Sequence, residues 1–267
     1  MVKFYTLVTN PSIQSGIPYD VIYKLEIIKA TSIDSTTPFL MELLKEYVEQ
    51  KITLEETNQI LHEVIVMLIR VKIVGHDTKE IGLLFPSLYS SLKSAENKIM
   101  ILQEKFTDFD YLISDESFKE SLIERGLYST QNIIFTRRIL IEIDKAKHNF
   151  GQYPDYNTLT TIEHICPQNG RDKTGWTEYL GDDSENIDLH KAIHSIGNLL
   201  LLSRPANSSA SNNPFKEKID SYHDLTFLNK DIKARYNANI HWNIDAIKQR
   251  SKDLSEIALK LWSWKNN

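Results

Sequence analysis

Residues 160–170 read TTIEHICPQNG. Glu163 and His164 stand side by side behind a run of β-formers, and Pro167 follows three residues after the histidine. In an extended strand, neighbouring side chains point to opposite faces. The two can therefore act together only where the strand ends in a distorted turn, which Pro167 is placed to impose. A carboxylate is a hard oxygen ligand for a divalent cation such as magnesium. A neutral imidazole beside it can take a proton from an attacking water. That pairing suits metal-assisted hydrolysis of a phosphodiester. Cys166, between them and the proline, reads as a small buried hydrophobe.

Outward from this stretch, FGQYPDYNT at 150–158 is turn-rich and reads as a linker, and LTTIEHI at 159–165 as a short strand. A polar excursion, NGRDKTGW through GDDSENID, leads to a short helical piece, LHKAIHSI. GNLLLLS at 197–203 reads as a second strand and SRPANSSASNNP at 203–214 as a loop. PFKEKIDSY then opens a helix with Pro214 in its first turn. The last stretch, NIDAIKQRSKDLSEIALKLWSW, is an amphipathic helix with Ile244, Ile247, Leu254, Ile257, Leu261 and Trp262 near one face.

The first 150 residues read as helices. DVIYKLEIIKA, PFLMELLKEYVEQ and EETNQILHEVIVMLIRVKI place apolar residues three and four apart, and so do SAENKIMILQEKF, ESFKESLIERG and NIIFTRRILIEID. Pro38 suits a first turn. Thr53 with Glu56 forms a capping box, and Asp77 with Glu80 is a second candidate. The expected fold class is mainly α: a helical connecting domain over 1–150, then a small α+β domain with extra helices over 151–267.

Composition bounds the function. The 267 residues carry a net charge of −5, with 41% hydrophobic and 25% charged residues. Residues 161–267 hold 14 Lys+Arg and 14 Asp+Glu, so the whole deficit lies in the first 160, which hold 17 and 22. Phosphate contacts in the second half are not excluded by total charge, since a local patch suffices. A single cysteine removes a disulfide framework and any Cys-cluster zinc site. No apolar run nears the roughly 20 residues of a membrane span. There is no signal-peptide pattern, so a cytoplasmic location is expected.

A second motif strengthens the first. IGNLLLLSRPAN at 196–207 brackets a strand and loop with Asn198 and Asn207. A carboxylate-His-x-x-Pro followed by Asn-x-x-x-Leu and a further Asn resembles the HNH, or ββα-metal, nuclease fold. In particular, IEHICP, IGNLLLL, NSSASNN and FKEK in that order resemble the HNH-like domain at the C-terminus of GmrSD-type modification-dependent restriction enzymes. The resemblance is specific over 155–267 and looser before that.

What the resemblance implies is a metal-dependent DNA endonuclease acting on foreign or phage DNA. His164 corresponds to the general base. Asn198 completes the catalytic set by tying the loop that bears His164. Glu163 and Asn207 correspond to ligands of a single divalent cation, Mg2+ or Mn2+, with oxygen donors where other members use imidazole. Arg204, Lys216 and Lys218 flank the site as expected DNA contacts. The resemblance also implies a nucleotide-hydrolysing, ParB-like N-terminal domain or subunit outside this chain. Considered singly, each asparagine is a turn residue first. His190 and His194, four apart on one helical face, read as solvent-facing rather than as metal ligands. A non-catalytic DNA-binding or scaffold module on the same fold is the alternative.

Overall fold

The computed structural model describes residues 2–11, 16–93, 95–148, 152–169, 175–180, 187–223 and 225–264. The start of the expected linker (150 and 151) and most of the polar excursion (170–174 and 181–186) lie outside the described residues. Two compact units divide the chain between Phe118 and Lys119: residues 1–118 with 262–267, and residues 119–261. The sequence reading put its boundary at 150. The compact division is earlier because the last helix before that point packs on the sheet of the second unit.

The first unit is helical: α1 (Val2–Thr9), α2 (Tyr19–Ala30), α3 (Thr37–Val48), α4 (Leu54–Val74), α5 (Ile81–Leu92) and α6 (Lys98–Asp108), with α7 (Asp115–Glu124) crossing the division. Its axis is α4. Thr53 Oγ1 accepts from Glu56 N–H, and Glu56 Oε2 accepts from Thr53 N–H, so both donors of the capping box are satisfied. Gly75 closes the helix at φ 71°, a left-handed position that suits glycine. The second capping candidate does not form. Asp77 instead accepts from Lys79 N–H, and α5 begins without a side-chain cap. Arg70 of α4, fully buried, donates to the carbonyls of Trp262 and Ile113 and to Asp115.

The second unit contains α8 (Ile133–Lys145), β1 (Thr161–His164), α9 (Thr177–Leu180), α10 (Ile187–His194), β2 (Leu199–Leu202), α11 (Arg204–Ala210), α12 (Phe215–Ser221), α13 (Phe227–Asn237) and α14 (Ile244–Leu261). The protein is mainly α, with a small α+β part. β1 and β2 pair antiparallel, Thr161 opposite Leu202 and His164 opposite Leu199. All four β2 leucines are buried, because α8 and α13 both pack against that strand. An unbroken apolar run is what a strand covered on both faces requires.

The segment read as the loop 203–214 contains α11. Ser203 Oγ caps it by accepting from Ala206 N–H, and Pro205 occupies its first turn. These are ordinary start signals, masked by the small polar residues around them. Pro214 sits one residue before α12, as its N-cap. The buried face of α14 includes small and polar residues, Ala246, Arg250, Ser251, Ser255 and Ala258, beside Ile244, Ile247 and Leu254. Such residues let α14 come close to the single 3-10 turn Ile196–Asn198 that leads into β2. Among the described residues, no helix is long and apolar enough to cross a membrane.

Candidate active site

Hydrogen bonds at the end of β1 hold the Glu163–His164 pair in place. Past His164 the chain leaves the strand, and Ile165 N–H donates to Asn198 O at 2.9 Å. The Asn198 side chain, wholly buried, then clasps the turn. Its Oδ1 accepts from Cys166 N–H at 2.8 Å and Trp242 Nε1–H at 3.3 Å. Its Nδ2 donates to the carbonyls of Cys166 and Ile193, both at 2.9 Å. All of its hydrogen-bonding capacity is used inside the protein. Asn198→Asp would set a carboxylate against those two carbonyls. It is expected to cost about 3 kcal/mol or more of stability, measured by urea denaturation. A variant as stable as the parent would show that the clasp is dispensable.

The two side chains of the pair take different partners while lining one cavity. Glu163 turns toward α12, where Lys218 Nζ donates to its Oε1 at 2.6 Å and Tyr222 Oη–H donates to the same oxygen at 3.0 Å. Lys218 also donates to His164 O at 2.8 Å. Burial pushes the Glu163 carboxyl above the ordinary range, and the Lys218 ammonium pulls it back down. Burial lowers Lys218 in turn, against the pull of Glu163. The bonding pattern, one nitrogen giving to two acceptors and one oxygen taking from two donors, is that of an ammonium on a carboxylate.

His164 packs into a corner of rings. Tyr128 meets it edge-on at 4.5 Å between centroids, and His194 does so at 5.4 Å. Gln168 Nε2 lies 3.2 Å from His164 Nδ1. An amide N–H can only donate, so Nδ1 is the acceptor and Nε2 carries the proton of the neutral ring. That Nε2 is buried with no hydrogen-bond partner among the described residues. Desolvation, then the nearness of His194 and Lys218, lowers the His164 pKa from 6.5 to about 3.

This shift links stability to pH. Between about 3 and 6.5 the unfolded ring binds a proton that the folded ring refuses. Stability is thus full above pH 6.5 and falls as the pH drops toward 3. In chelator, going from pH 7 to pH 5 should cost the parent about 2 kcal/mol more than His164→Asn, whose amide does not titrate. Urea denaturation of the two proteins at both pH values measures this. Parallel pH slopes would mean that His164 is not the group responsible.

Glu163, His164, Gln168, Asn207 and Lys218 line one cavity of about 290 Å³. Asn207, from α11, donates through Nδ2 to Ile162 O at 3.4 Å, and its Oδ1 takes no donor among the described residues. Glu163 Oε2 takes no side-chain donor among them, while the His164 backbone N–H also bonds the carboxylate. Asn207 Oδ1 and a remaining acceptor site on the Glu163 carboxylate therefore belong to residues around the same space. Asn198 lies behind this cavity, as its clasp. Arg204 and Lys216 are exposed, at the starts of α11 and α12. Lys218 differs from the other two expected DNA contacts. It is 0% exposed, and its ammonium is held by Glu163 Oε1 and His164 O. His190 is exposed, while His194 is half-buried against Tyr128 rather than in solvent.

Three neighbours of the pair escaped the sequence reading: Tyr128, Gln168 and Tyr222. Only Tyr222 left a local signal. It lies four residues after Lys218, one helical turn along.

A family model described as GmrSD restriction endonucleases, C-terminal domain, matches residues 112–257, more than half of the chain. The chain belongs to this family. Every residue of the cavity lies inside the matched span, and so do β1, β2 and α11. As a GmrSD C-terminal domain, the chain is related to restriction endonucleases. No curated protein and no solved structure matches it.

Proposed function

We propose that the second unit is an HNH-like endonuclease domain that hydrolyses phosphodiester bonds in foreign or phage DNA. The observation carrying this reading is one cavity that joins a neutral imidazole to two oxygen donors on a ββα succession. His164 Nδ1 accepts the proton of the attacking water, in the place that Gln168 Nε2–H now marks. A ring that stays neutral down to about pH 3 is ready to accept at any working pH. It is also a weak base, so the water must be made acidic by its surroundings. Asn198 fixes the turn that carries His164, and Lys218 with Tyr222 fixes Glu163. Arg204 and Lys216 contact DNA phosphates and set its register.

A divalent cation fits the donors present. Glu163 Oε2 and Asn207 Oδ1 are hard oxygens, the set that suits magnesium or manganese with several retained waters. Among the described residues there is no group of three His, Cys, Asp or Glu that could hold a metal ion, so an ion here would depend on these two oxygens and water. Held there, the ion would supply charge stabilisation to the scissile phosphate and leaving oxygen. On this reading the first unit is a connecting domain. Selection of modified DNA then belongs to a nucleotide-hydrolysing, ParB-like partner domain or subunit outside this chain.

The test is plasmid nicking after chelation. Mg2+ or Mn2+ should restore cutting, and Zn2+ alone should not. DNA binding with no cutting in any metal would favour the scaffold reading instead. Cutting restored by zinc alone would mean that imidazole, not oxygen, holds the ion.

A further inference from the structure

Both lone pairs of Glu163 Oε1 are already used. Lys218 Nζ–H approaches at 2.6 Å and Tyr222 Oη–H at 3.0 Å, and an sp² oxygen has two acceptor sites. The lysine is fully buried, which makes it an expensive way to hold a strand end. Replacing a buried ion pair by apolar residues of like volume is commonly neutral or stabilising. Packing alone therefore does not account for an ammonium at this place. Its position does: Lys218 lines the same cavity as Asn207 and His164, and its second bond runs to the carbonyl of His164 itself at 2.8 Å.

We propose that Lys218 is the cavity's built-in cation, a positioning residue that with Tyr222 occupies Glu163 Oε1 and leaves only an acceptor site on Oε2 to ligate a divalent ion. This rests on the reading of Glu163 and Asn207 as ligands. Two consequences follow. The ion is held by one carboxylate oxygen rather than two. And it enters a pocket whose carboxylate charge is already balanced, so the free protein holds it loosely.

The test uses the full chain, stripped of metal with EDTA and titrated with MnCl2 by calorimetry and by thermal melting. Lys218→Met removes the charge and frees an Oε1 lone pair. It should bind Mn2+ about tenfold more tightly than the parent, since hydrogen bonds to charged groups carry roughly that factor. Its melting temperature should also rise more on adding Mn2+. The double variant E163Q/K218M should lose both effects. A lysine that only holds the fold would not make Mn2+ binding tighter when removed.

Folded K218M that binds Mn2+ no more tightly than the parent, while Asn207→Ala weakens parental binding, overturns the Lys218 proposal and leaves the ligand reading standing. Absence of Mn2+ binding in both the parent and K218M overturns the two together. A K218M chain that folds only when Mn2+ is added supports the proposal, because the ion then replaces the ammonium. If K218M folds in neither condition, Tyr222→Phe decides. It keeps the charge and frees one lone pair, so tighter Mn2+ binding supports the proposal and equal binding overturns it.

Discussion

His164→Ala should slow DNA cleavage by about 10²- to 10⁴-fold, the usual worth of a positioned general base, while DNA affinity stays within about twofold of the parent because phosphate contacts dominate it. On the proposed reading those contacts fall to Arg204 and Lys216, both exposed. The fold should survive. The ring makes one side-chain hydrogen bond, to Gln168, and its Nε2 is a buried donor without a partner. Removing an unsatisfied donor offsets part of the packing lost against Tyr128 and His194. Nicking and filter binding on one preparation separate the two effects, with melting as the control for folding. Equal nicking by variant and parent would remove His164 from the chemistry.

The parts of this site legible in the sequence are those fixed over a few residues. β1, β2, the capping box at Thr53 and the helices with regular apolar spacing all follow from local pattern. Asn198 and Asn207 stood out because two short motifs occur in order. The burial of Lys218 was not legible for the opposite reason. In FKEK it looks like one lysine of a solvated helix face, and only the fold brings Glu163 to within 2.6 Å of it. Tyr128 is likewise 36 positions from the histidine it packs on, and nothing around it announces a partner.

A helix hidden by its composition was missed as well. α11 is short, and its Ser and Asn residues look like loop composition. The boundary at 150 followed from turn-forming residues. The compact division follows instead from where α8 finds its partners, β1 and β2. That is a long-range fact with no local trace.

Gly197 makes the sharpest test of how closely α14 and the β2 entry are packed. A Cβ at this position would lie 2.1 Å from Ile247 O, 2.5 Å from Ser251 Oγ and 2.8 Å from Ser251 N. Two of those three atoms are backbone of α14 and cannot rotate away. Gly197 N–H also donates to Ser251 Oγ at 3.0 Å, and Arg250 donates to Gly197 O at 2.7 Å. Pushing α14 outward to admit a methyl would break these bonds together. Gly197→Ala is therefore expected at or beyond the upper end of overpacking costs, about 3 kcal/mol or more. The damage should reach the site, because Asn198 is the next residue and its clasp positions the turn after His164. Gly82→Ala is the matched control. It sits in α5 with nothing within 4 Å of its would-be Cβ, so it should be neutral or stabilise by about 0.5–1 kcal/mol. Urea denaturation of both variants, with nicking assayed alongside, decides the matter. A Gly197→Ala protein with the parent's midpoint and activity would show that α14 can withdraw freely, and that its contact with the β2 entry does not hold the site.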